Sequence, residues 1–182
     1  GGRMAEASAA MRAEADRNAE PSEEKELAIL EAERLLELGH IECAEANAEE
    51  ALKYHRAALD IYRKQRNRAG EGKTLNGLGL VYQGLGKNHE ALEHFGLALE
   101  IHRETGARID EGVVLGNLGI IYQFQCKYDE AIAHYQLAIE IHKERGNKHA
   151  EGHVLGSLGL SYSTQGEYDE AIVHFQLAIE IH

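Results

Sequence analysis

The sequence predicts an all-α fold, a right-handed α-solenoid of about four antiparallel helix hairpins, on three observations. The chain repeats itself without gaps at a period of 40 residues, a spacing that marks repeat architectures. Each copy carries two apolar stripes at helical spacing, and two such stripes joined by a short turn make a hairpin. The composition has one Pro and no Trp, and it is rich in Ala, Leu, Glu and Ile, which favours helix throughout.

The last two copies are the clearest. Residues 111–142 and 151–182 agree at about two-thirds of positions, and residues 71–102 fit the same frame. A weaker copy lies upstream, where Leu35, Leu38 and Gly39 correspond to Leu75, Leu78 and Gly79, and Ala51 and Ile61 correspond to Ala91 and Ile101. In chain order this gives an Ala/Glu-rich tail or loose helix at 1–22, a divergent repeat at 23–68, and further repeats at 69–108, 109–148 and 149–182. Ser22 is placed to cap the first helix after Pro21. Because residues 149–182 end on an apolar helix with no polar outer helix, the array is expected to be truncated or to pair with a second copy.

Within each copy the first helix carries Leu75, Leu78, Gly79 and Tyr82, recurring as Leu115, Leu118, Gly119, Tyr122 and as Leu155, Leu158, Gly159, Tyr162. The second carries Ala91, Phe95, Ala98 and Ile101, then Ala131, Tyr135, Ala138, Ile141, then Ala171, Phe175, Ala178, Ile181. Gly106 and Gly146 are placed to end second helices, and Gly86 and Gly166 to turn the chain inside a hairpin. Asp129–Glu130 and Asp169–Glu170 then put negative charge at helix starts. Gly79, Gly119 and Gly159 each cost about 1 kcal/mol against Ala inside a helix, so their recurrence implies a close neighbour. The facing surface expected there is Ala91, Ala131, Ala171 and their partners Ala98, Ala138, Ala178, with the aromatic rings filling wider gaps.

The order Leu78-Gly79-x-x-Tyr82, Gly86, Ala91, Phe95, Ala98, repeated one and two periods later, resembles the tetratricopeptide repeat. Leu75, Leu115 and Leu155 stand at the position of the family's tryptophan, and its closing proline is missing. The period of 40 exceeds the usual length of about 34 by nearly a turn per helix, which looks like the long-helix subtype of polarity adaptors and bacterial signalling proteins. The resemblance implies a scaffold that binds a peptide or helix of a partner protein in a concave groove lined by the first helices. It places that groove at Lys73, Asn76, Leu80 and Gln83, at Val113, Asn117, Ile120, Gln123 and Phe124, and at His153, Ser157, Leu160, Ser163 and Thr164. The groove so defined is mostly neutral, with Leu80, Ile120 and Leu160 as an apolar ladder suited to apolar anchors. The alternatives are a self-assembling structural array, with homo-oligomers formed through exposed terminal repeats, and a ligand-sensing regulatory domain of a larger signalling protein.

Other chemistries are weighed on the same residues. A co-chaperone clamp for an acidic C-terminus needs cationic donors, and Asn76, Leu80, Gly116, Ile120, Gly156 and Leu160 supply none. The polarity-adaptor pattern, with Asn at the positions of both Asn117 and Ile120, is half present. A net charge of −12 argues against a nucleic-acid partner. No apolar run reaches the roughly 20 residues of a membrane span, and Gly1-Gly2-Arg3-Met4 lacks a secretion core, so a cytoplasmic protein is expected. Cys43 and Cys126 lie too far apart in sequence to read as a redox or zinc motif. No phosphate-binding, dinucleotide, metalloprotease or nucleophile-elbow motif occurs, so no catalytic residue, metal or cofactor is expected. His94, His134, His174 and His102, His142, His182 form two rows in phase, read as surface or boundary residues copied with the repeat because neighbouring repeats sit too far apart to share a metal. Glu90, Glu130, Glu170 and Glu100, Glu140, Glu180 read as solvated faces.

Overall fold

The computed structural model describes residues 23–181. The tail expected at 1–22, the Ser22 cap and His182 lie outside the described residues. Eight helices follow one another among them: α1 (Glu23–Ala44), α2 (Ala48–Lys64), α3 (Arg68–Gly84), α4 (Asn88–Thr105), α5 (Arg108–Phe124), α6 (Tyr128–Glu144), α7 (Lys148–Gln165) and α8 (Tyr168–Ile181). They pair as α1/α2, α3/α4, α5/α6 and α7/α8, and the pairs stack in sequence order into an all-α solenoid.

One local device sets this architecture. A residue with positive φ stands at 46, 66, 86, 106, 126, 146 and 166, once every 20 residues, so the turn inside a hairpin and the turn between hairpins share one geometry. After each, an amide reaches back to the preceding helix: Lys87 N–H donates to Tyr82 O at 2.9 Å and Ala107 N–H to His102 O at 2.9 Å, satisfying carbonyls the helix end leaves open. Gly86, Gly106, Gly146 and Gly166 take this conformation freely, while Ala46, Arg66 and Cys126 take it with a Cβ in place. The next helix starts at once, capped at Asn67 and Asn147 by side-chain oxygens that accept from Gly70 N–H and Ala150 N–H.

The core runs along the stack. Phe95, Ala98 and Ile101 of α4 are buried between Leu75 and Leu78 of their own hairpin and Val114, Leu118 and Ile121 of the next. Tyr135, Ala138 and Ile141 of α6 are buried with Leu115 on one side and Val154 and Leu158 on the other. Ala32, Leu36, Ala58 and Tyr62 form the corresponding cluster at the first hairpin.

Gly79 and Gly119 take a different neighbour from the one expected, whereas a methyl on Gly159 would meet Phe175 at 2.9 Å and also the expected Ala171, through its carbonyl oxygen, at 3.2 Å. A methyl on Gly79 would lie 2.5 Å from Phe95 Cδ1, and one on Gly119 would lie 2.5 Å from Tyr135 Cε1. The aromatic ring itself sits in the notch and fills it. A flat ring laid on bare backbone buries more apolar area than an Ala methyl there could, and this offsets the helix penalty.

Candidate functional site

The first helices touch one another along the stack, α1 with α3, α3 with α5 and α5 with α7, whereas the second helices do not. Crowding on one side and separation on the other bends the stack, so α1, α3, α5 and α7 line its inner face. All fourteen residues assigned above to the groove lie on these helices and are exposed or half-buried. Asn117 Nδ2–H donates to Asn76 Oδ1 at 3.0 Å, linking α5 to α3 across the inner face. Gln123 Oε1 accepts from Tyr135 O–H at 2.8 Å and is therefore engaged by its own hairpin. Ser157 and Thr164 donate to the carbonyls of His153 and Leu160 on their own helix. Phe124 and Leu160 are largely exposed, while Leu80 and Ile120 also pack on the core.

A concave cavity of about 1440 Å³ opens toward the first hairpin. It takes in Lys73, Asn76 and Val113 from the expected set, together with residues the sequence reading did not assign: Leu27, Leu30, Glu33, Leu36, Glu37 and His40 of α1. Register was the available signal. Subtracting one period from Lys73, Asn76 and Leu80 gives Glu33, Leu36 and His40. The expected neutrality does not extend to this end, because its lining also holds Glu24, Glu31 and Asp110, and its Arg34 is bound bidentately by Glu31 at 2.7 and 2.8 Å. Subtraction of one period would have carried the groove onto α1 and its carboxylates with it.

The model of the tetratricopeptide repeat matches residues 30–104 and 110–182, most of the chain. The chain belongs to the tetratricopeptide repeat family. No curated protein matches it. Among solved structures, it is similar to a Rap protein complexed with competence and sporulation factor, at 23% identity and a TM-score of 0.79, covering 84% of this chain and 43% of that one. It is similar also to aspartyl phosphate phosphatase F from Bacillus subtilis, at 19% identity and a TM-score of 0.74, covering 87% and 42%. BtubC (BKLC) from P. vanneervenii superimposes at 22% identity and a TM-score of 0.73, covering 87% and 71%. The chain thus spans less than half the length of the first two, and the likeness is one of fold.

Within this tetratricopeptide array, one row of histidines sits otherwise than the sequence indicated, and a second set of residues, to which the sequence reading assigned no role, is buried. His102 and His142, read as surface or boundary residues, are buried: their rings lie on Gly72 and Gly112, where a methyl would stand 2.8 Å from Cε1. His55 lies likewise between Gly39 and Gly77. Burial lowers the pKa of all three, and for His55, with His40 adding to the effect, to about 4. The other row stays at the boundary, His94, His134 and His174 each donating from Nδ1 to the carbonyl four residues back; His94 and His134 lie tilted against Tyr82 and Tyr122, and His174 stacks on Tyr162. Among the described residues, no three His, Cys, Asp or Glu side chains gather as a metal site, and no helix is long and apolar enough to cross a membrane.

The second set is a ladder of buried acids. Glu71 accepts from Arg63 and Arg68, both at 2.9 Å, and Glu111 from Arg103 at 3.0 Å and Arg108 at 2.7 Å. Burial raises each carboxyl's pKa and the guanidinium bonds more than reverse this, leaving both below the usual range. Since Arg63 and Arg103 belong to the preceding hairpin, each acid stitches one tetratricopeptide hairpin to the next. Tetratricopeptide arrays are protein-interaction scaffolds, and these bonds tie α2 to α3 and α4 to α5.

Proposed function

We propose that the array is a non-catalytic scaffold that holds a peptide or helix of a partner protein along its concave face. The observation that carries this reading is the ladder of Leu80, Ile120 and Leu160, which occupies one register on successive first helices, none of the three fully buried and each flanked by amides or hydroxyls. Apolar anchors at repeat spacing with polar groups between them suit a segment that lays alternate side chains into the groove. The solved Rap protein bound to competence and sporulation factor supports the idea that this fold accepts a partner. The groove residues that carry the binding are taken to be Lys73, Asn76, Leu80, Val113, Asn117, Ile120, Phe124, His153 and Leu160, with Gln83, Gln123, Ser157, Ser163 and Thr164 at its margins.

The test is affinity capture with the purified chain, run beside Ile120→Glu and Leu160→Glu. A charge placed in the ladder is expected to remove the captured partner while far-ultraviolet circular dichroism stays unchanged. Retention of the same partner by both variants would remove the groove from the account. The exposed Ile172 and Ile179 on the outer face of α8 favour a second reading, association of copies through that face. Sedimentation showing a monomer at every concentration rules that out.

A further inference from the structure

We infer that the α1–α3–α5 end of the concave face takes a cationic partner segment, with basic side chains on its carboxylates and apolar ones on Leu27, Leu30 and Val113. The inference rests on the groove reading above and adds the charge of the occupant and the end at which it sits.

Two observations converge on it. The first is charge. Five carboxylates line the cavity against Arg34 and Lys73, and Arg34 is already neutralised by Glu31. Among the described residues, Glu24, Glu33 and Glu37 make no side-chain hydrogen bond or ion pair; Glu24, in the first turn of α1, complements the helix dipole, and Glu33 and Glu37 stand further along the helix without that role. The second is apolar surface. Leu27 is 68% exposed and Leu30 61%, both on the same helix and both in the cavity lining, with Val113 across from them.

A concave acidic surface concentrates its potential in the space it encloses, so it draws cations toward the groove and turns anions away. The rest of the inner face, from Asn117 and Ile120 to Ser157 and Leu160, has no such bias. A segment lying along the whole groove is therefore oriented, its basic part on α1 and its neutral apolar part on α5 and α7. Binding tolerates either Lys or Arg, because the carboxylates stand on an exposed helix without the paired geometry that would select a guanidinium.

The experiment uses the whole chain and two fluorescent synthetic peptides of identical leucine spacing, one with lysines and the other with glutamates between the leucines, read by anisotropy at neutral pH. The lysine peptide is expected to bind at least about tenfold more tightly. That difference should shrink as salt rises from about 50 to about 500 mM, and it should be lost in the double variant Glu33→Gln/Glu37→Gln. Equal binding of the two peptides, binding of neither, or no effect of the double variant overturns the inference. Leu160→Glu separates the two readings. If it weakens binding while the charge preference is absent, the groove stands and the cationic occupant falls; if it leaves lysine-peptide binding intact while Glu33→Gln/Glu37→Gln abolishes it, the acidic end stands and the ladder falls.

Discussion

The same 40-residue unit appears in the middle of the stack and at its end, so the array contains its own control. Tyr135 of α6 has α5 beneath it and α7 above, and is 1% exposed; Phe175 of α8 has only α7, and is 38% exposed. Their positions in the repeat are identical and each faces a glycine, Gly119 or Gly159. What differs is the neighbour. A hairpin in this fold supplies half of a core, and the next hairpin supplies the other half, so burial belongs to the seam between units.

The largest effect that would break or sharpen this comparison is truncation of the two rings. Tyr135→Ala removes a ring enclosed on both sides together with its bond to Gln123, and is expected to cost about 3–5 kcal/mol. Phe175→Ala, already open to solvent, should cost less than half of that. Urea unfolding followed by circular dichroism measures both, and equal losses would mean that the seam is not where the stability resides.

The seams also differ in their response to acid. His55 sits beside His40 in the first seam, whereas His102 faces Asp110 and Glu111, which partly restore its basicity against burial and Lys73, and His142 faces Glu151. An imidazole with a lowered pKa is neutral in the fold while the unfolded chain still takes up a proton, so stability is full above about pH 6.5 and falls as the pH drops toward the folded value. For His55 that window runs from 6.5 to about 4, and the loss reaches up to about 3 kcal/mol across it. Hydrogen exchange at α1–α3 should therefore rise with acid before exchange at α5–α7 does, and His55→Leu should flatten the early rise. Simultaneous opening of all seams would overturn this order.

The ion-pair ladder gives the next, smaller contrast. Glu111 is held by two arginines and joins α4 to α5, while its equivalent Glu151 pairs with Lys148, at 3.3 Å and within its own helix. Glu111→Gln is expected to cost about 1.5–3 kcal/mol, since two charge-assisted bonds to a buried carboxylate are weakened together, and Glu151→Gln about half as much. Because the pKa of Glu111 is lowered, its contribution is present above the ordinary carboxylate range and is lost as the pH falls through the folded value. Thermal melts of both variants at neutral pH decide the matter, and equal shifts would show that the cross-hairpin arginine adds nothing.

Most of the fold could be read in the chain because a repeat prints its core several times. Leu75, Leu115 and Leu155 at one phase admit a single helical face, and the in-phase glycines announced a close contact even though the ring that makes it was misassigned. His102 and His142 were misread because a copied histidine looks the same whether it meets water or a notch. Only pairing it with Gly72 or Gly112 thirty residues earlier tells the two apart, and that pairing depends on how the helices pack. The acidic end of the groove was missed for the opposite reason: Glu33, Leu36 and His40 share no side chain with Lys73, Asn76 and Leu80, so identity faded where register persisted.

The turns offer the smallest and cleanest contrast, since their geometry is shared and only the residue changes. Gly86 and Gly166 turn their hairpins at φ of 70° and 84°, and Cys126 performs the same turn one period away at 58°. An L-residue with a Cβ pays about 1–2 kcal/mol to enter that region, and glycine gives part of this back through its greater freedom when unfolded. Cys126→Gly is therefore expected to stabilise the chain by about 1 kcal/mol, a rise of a few degrees in the melting temperature. Gly86→Ala should lower stability by a similar amount, because a methyl there meets open space and the cost is conformational alone. If Cys126→Gly destabilises instead, the thiol makes a contribution at this turn that backbone geometry does not explain, and the seven turns are not equivalent.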